Sequence, residues 1–136
     1  PRWLHEGLAQ SLEGRVPPPH LAVSDGMTLE ALEQLLCDAD PVHAHAGYEI
    51  ALAVVADLLQ RGGMSSMRAL LGRLGAGDTL EAAAPVVYGW PVSDLESQWR
   101  DIARLARVEG LEAHARSVEA RFGPGALDDA DPEEPR

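Results

Sequence analysis

The stretch "IALAVVA", residues 50–56, carries no polar side chain at any of its seven positions. It sits inside a longer apolar segment from about Val42 to Arg61, too long for a strand and free of period-two alternation. A helix that is apolar all round is a buried one. The remaining segments must therefore cover it from several sides, and "RGG" at 61–63 closes it.

Those segments read as further helices. Trp3, Leu4, Leu8 and Leu12 fall near helical spacing, which predicts an amphipathic helix over 3–13 ended by Gly14. "RVPPPHL" is a stiff, partly polyproline connection. Thr28 caps a helix bearing Leu29, Leu32, Leu35 and Leu36, and "CDADP" stops it. "SSMRALLGRL" gives another helix, ending at "GAGD". Asp78 is the expected cap of "TLEAAAPVVYG", with Pro85 bending or truncating that helix. "SDLE" matches a capping box, Ser93 as cap and Glu96 reaching back. It opens a long helix through Leu95, Trp99, Ile102 and Ala106. Gly110 breaks it before Leu111, Ala115, Val118 and Phe122. The expectation is an all-α unit of about six helices over 1–122, with one buried central helix at about 42–61. An acidic disordered tail, 123–136, follows.

Composition narrows the function classes. Aromatic residues are only 4% of the chain, so Ala and Leu carry most of the core, which favours close helix packing over a sheet. A net charge of −11 argues against a nucleic-acid partner, which calls for a basic footprint. The single Cys37 excludes an internal disulfide and a multi-cysteine zinc site. It leaves the compartment open. No run approaches the roughly 18 apolar residues of a membrane span, and no targeting segment is visible.

Two groups of side chains invite a chemical reading. "HEGLA", residues 5–9, begins like a zinc-peptidase motif, but a second His is required at position 9, which is Ala9. "CDADPVHAH" gathers Cys37, Asp38, Asp40, His43 and His45, all metal-compatible. On a helix His43 and His45 point in nearly opposite directions, and loop acids before a helix are usually caps. Trp90 and Trp99 read as packing anchors.

Taken in order, "WLHEGLAQ", "AGYEIALAVVADLLQRGG" and "MRALLGRLGAGDTLEAAAPVVYGWPVSDLESQWRDI" resemble the C-terminal helical part of the gluzincin metallopeptidases, in particular peptidase-MA-like domains. The resemblance spans roughly residues 1–105. That family carries a Trp-Leu-x-Glu-Gly-x-Ala signature, matched by Trp3, Leu4, Glu6, Gly7 and Ala9. It implies that Glu6 is a zinc ligand and that His5 holds a variable position. It also implies that Tyr48, in "GYEIA", donates to the oxyanion of the tetrahedral intermediate. The family's Lys-Gly after Tyr-Glu is Ile50-Ala51 here. Gly7 and Ala9 are small enough for a neighbouring helix to approach closely.

The 136 residues contain no His-Glu-x-x-His. The expected function is thus the C-terminal portion of a zinc-dependent metallopeptidase, inactive alone. Its partners would be the upstream half of its own domain and a peptide or protein substrate. The alternative is a non-catalytic helical protein-interaction module derived from a degenerate peptidase-like domain.

Overall fold

The computed structural model describes residues 1–18, 21, 27–101, 116, 117 and 119–121. Every regular element among them is a helix, so the class is all-α. In chain order these are α1 (Arg2–Leu12), α2 (Leu29–Leu36), α3 (Pro41–Gly75), α4 (Leu80–Tyr88) and α5, helical over 92–101. Residues 116, 117 and 119–121 are also helical. The expected break at Gly110 and the apolar positions Ile102, Ala106, Leu111, Ala115, Val118 and Phe122 lie outside the described residues. So do His20, His114 and the tail 123–136.

The central helix forms as its apolar run demands. Asp40 caps α3 by accepting from the Val42 amide at 2.9 Å, and Pro41 takes the first helical position. Ile50, Ala51, Leu52, Val54, Val55 and Leu58 are buried, as are Met67 and Leu70 further on. The "RGG" stop is a break within α3 rather than its end. Gly63 adopts φ 65°, ψ −170°, a conformation open in practice only to glycine, and helix resumes beyond it. By length and mean hydropathy α3 meets the criterion for a membrane span, although its apolar residues form no unbroken run of that length. The core helix of a compact protein meets the same criterion, and α1, α2 and α4 all pack on α3.

The approach of α1 to α3 is set by Gly7. A Cβ there would lie 2.5 Å from Val55 Cγ2 and 2.8 Å from the Ala51 carbonyl carbon. Ala9, by contrast, is exposed, so only Gly7 makes the close contact. Trp3 and Leu4 complete the junction with almost no exposed surface.

Helix ends depart from the local reading in three places. Thr28 caps α2 as expected, its Oγ1 accepting from the Ala31 amide at 3.1 Å. The cap of α4 is Thr79, which accepts from Ala82 at 3.2 Å, because Asp78 is drawn to Arg73 Nη1 at 3.1 Å. Pro85 neither stops α4 nor shortens it. Ala83 and Ala84 hold the helix in the core, and it ends only at Gly89, whose φ is 77°. Ser93 does not cap α5: it lies inside the helix, and the Pro91 carbonyl accepts from Leu95 at 3.2 Å. Glu96 serves a different helix, accepting from the Leu29 amide at 2.9 Å. Trp99 is buried as an anchor, whereas Trp90, beyond the Gly89 turn, is 44% exposed.

The start of α1 is capped from a distance. Pro1 offers no side-chain cap, and the Glu33 carboxylate of α2 accepts from the Arg2 amide at 2.7 Å and from Trp3 at 3.0 Å. Two of the amides left unpaired at the helix start are thereby satisfied, with negative charge at the positive end of the dipole.

Candidate functional site

Close packing at Gly7 brings Glu6 and Tyr48 to the same junction between α1 and α3. Arg2, one turn before Glu6, spans them. Its Nε lies 3.5 Å from Glu6 Oε1, and its Nη2 donates to the Tyr48 hydroxyl at 3.3 Å. Its Nη1 reaches Cys37 Sγ at 3.9 Å. The bonds to Tyr48 and Cys37 raise the guanidinium's pKa further above neutrality, so its charge is fixed. A phenol oxygen has two lone pairs and one proton. With Arg2 donating to it, Tyr48 keeps its own proton for another acceptor.

A second link lies deeper. Gln10, buried on α1, donates through Nε2 to the Tyr48 carbonyl at 2.9 Å and to the Glu6 carbonyl at 3.3 Å. The helix bearing Glu6 and the helix bearing Tyr48 are thus joined by one exposed cation and one buried amide. Arg2 did not stand out in the sequence, whereas Gln10 is expected beside Glu6 on the same face of the helix, one turn on.

Beside this junction is an open cleft of about 540 Å³, lined by Gln10, Arg15, Val16, Pro18, His45, Tyr48, Glu49 and Leu52. His45 and Tyr48 line it together, one turn apart on α3. His45 Nε2 lies 3.2 Å from Glu49 Oε1, so the rim carries a paired rather than a lone imidazole.

The "CDADPVHAH" cluster does not converge. Asp38 Oδ2 lies 3.0 Å from His43 Nδ1, Asp40 is the α3 cap, His45 faces Glu49, and Cys37 faces Arg2. Asp38 is held below the usual carboxylate range, first by the Asp40 amide on Oδ1 at 2.8 Å and then by His43. Among the described residues no group of three or more His, Cys, Asp and Glu side chains could hold a metal ion.

The Glu6 carboxylate is partly exposed, and its Oε1 lies 3.5 Å from Arg2 Nε. A partly exposed carboxylate is a suitable zinc donor. It supplies one donor, and the remaining ligands of a catalytic set are not among the described residues. Comparison with protein-family models, curated proteins and solved structures returned no match for this chain.

Proposed function

We propose that the chain is the C-terminal portion of a zinc-dependent metallopeptidase. Glu6 is the carboxylate ligand, Tyr48 the oxyanion donor, and the other zinc ligands and the general base come from residues outside this sequence. The observation that carries the reading is the Arg2 bridge. Two residues distant in sequence, singled out by the resemblance, share one guanidinium across a helix contact that Gly7 makes possible. Bound zinc would lower the pKa of its water and polarise the scissile carbonyl. The chain's own residues hold the geometry. Arg2 fixes the Glu6 carboxylate and leaves the Tyr48 proton to be donated, while Gln10 keeps α1 and α3 in register. The cleft beside Tyr48 offers room for a peptide segment.

The test is zinc content and peptide hydrolysis in the full-length gene product. Glu6→Gln should lose bound zinc. Tyr48→Phe should retain zinc, with kcat lowered about 10²–10³-fold, the usual loss for one oxyanion donor. A wild-type full-length product that binds no zinc refutes this reading. It would favour the second one, a non-catalytic interaction module.

A further inference from the structure

The open cleft beside Tyr48 is built from two segments of different character. One is a stripe of α3, in which His45, Tyr48, Glu49 and Leu52 recur at helical spacing. The other is the chain that leaves α1. Gly14 turns it at φ 79°, and the Arg15 amide donates to the Gln10 carbonyl at 3.1 Å, so that Arg15, Val16 and Pro18 line the cleft. Proline has no N–H, so Pro17 and Pro18 give an incoming strand no donor to pair with. Recognition along this segment therefore falls to side chains.

The charges that line the cleft do not cancel evenly. Its cation, Arg15, is matched by Glu13, whose Oε2 lies 3.3 Å from Arg15 Nε. Its carboxylate, Glu49, has only His45 beside it, at 3.2 Å, and an imidazole carries charge only when protonated. A neutral imidazole donates one hydrogen bond, and a carboxylate has room for about four, so Glu49 can still accept from a ligand. Gln10 commits its amide nitrogen to the Glu6 and Tyr48 carbonyls. An occupant therefore meets a net negative charge, and the chain's overall charge of −11 draws cations toward it. Buried Leu52 and exposed Val16 add apolar surface beside that charge.

We propose that the cleft binds a lysine or arginine side chain of a peptide, with Glu49 as the carboxylate that sets this specificity. Lysine and arginine combine an apolar stem with a charged head, the same pairing of surfaces that Leu52, Val16 and Glu49 present. An acidic side chain brings a like charge to Glu49, and an apolar one gains nothing from it. Glu49 directly follows Tyr48, which puts the recognised side chain close to the bond that Tyr48 would act on. The proposal names a substrate class for the peptidase reading and rests on that reading for cleavage; binding itself needs only the cleft.

The test is fluorescence anisotropy on the full-length gene product, read before cleavage proceeds. The probes are labelled peptides with identical ends that differ at one central residue: Lys, norleucine or Glu. The Lys peptide should bind about fivefold more tightly than the norleucine peptide, the upper end for a partly exposed ion pair, and the Glu peptide should bind most weakly. The preference should shrink in about 1 M salt, where charges are screened beyond about 3 Å. Glu49→Gln should equalise Lys and norleucine. Glu49→Lys should turn the preference toward the Glu peptide, a reversal that misfolding cannot produce. Equal affinities in the wild type, no binding of any probe, or a Lys preference that survives Glu49→Gln overturns the proposal. Tightest binding of the Glu peptide does so too, and assigns the cleft to Arg15. A protein that holds zinc and cuts all three peptides equally well keeps the peptidase reading and loses this one. A protein that holds no zinc yet keeps the Lys preference does the reverse.

Discussion

Gly7→Ala is the sharpest test of how α1 meets α3. The added Cβ would lie 2.8 Å from a backbone carbonyl carbon of Ala51 and 2.5 Å from Val55 Cγ2. Backbone cannot rotate away, and a β-branched Val in a helix has essentially one rotamer. Ordinary carbon contact is about 3.5–4.0 Å, so α1 must withdraw by roughly 1 Å. Overpacking of this kind costs about 1–3 kcal/mol, and the absence of a yielding side chain places Gly7→Ala toward the upper end. Against it stands the better helix propensity of Ala, about 0.8–1.0 kcal/mol. The net loss is about 1–2 kcal/mol, roughly a 5 °C fall in melting temperature for a chain of this size. Withdrawal also strains the Gln10–Tyr48 bond, because that 2.9 Å contact crosses the same gap. Denaturation of the variant followed by circular dichroism measures the loss. Gly72→Ala in α3 is the internal control. That glycine is exposed and helical, with nothing within 4 Å of its missing Cβ, so the same change should stabilise by about 0.5–1 kcal/mol. If Gly7→Ala is as stable as Gly72→Ala, the helices are not in the contact described.

Replacing Glu33 by Ala should cost about 1 kcal/mol, since it strips the cap from two α1 amides, while Gln, which keeps one acceptor, should recover part of it; urea titration distinguishes them. Gly63→Ala should destabilise by about 1–3 kcal/mol although nothing crowds the position, because the penalty lies in its backbone angles. Asp38 sets a pH dependence. Its carboxyl is depressed in the folded chain, so its contribution is complete above the unfolded value near 3.9 and is lost as pH falls through the folded value. Asp38→Asn should flatten the acid limb of a stability–pH curve below about pH 4.

What could be read from the sequence was whatever depends on near neighbours. The apolar run at 50–56 located the buried face of α3, the glycines at 62–63 marked its interruption, and Thr28 capped the helix it precedes. The two misplaced carboxylates share one cause. Glu96 has the spacing of a capping-box acid, yet it bonds to Leu29, and Asp78 is captured by Arg73, which leaves Thr79 to cap α4. A carboxylate's choice between a local and a distant amide depends on which helix end is brought near it, and spacing does not encode that. The candidate site divides the same way. Glu6 and Tyr48 were marked by resemblance, whereas the Arg2 and Gln10 links emerge only once α1 lies on α3.

The borrowed helix caps have a consequence for how the chain acquires its structure. α1 depends on a carboxylate from α2, and α2 in turn receives one from α5. An isolated helix of 11 residues is marginal in water even with good local signals, and α1 has none at its start. It should therefore gain and lose order together with α2 rather than on its own. In native-state hydrogen exchange the amides of Arg2 and Trp3 should share the opening free energy of the α2 core amides instead of fraying as terminal residues do. A segment that looks like the most autonomous signature in the sequence would then be among the least autonomous in the fold, its order conferred from 30 residues downstream.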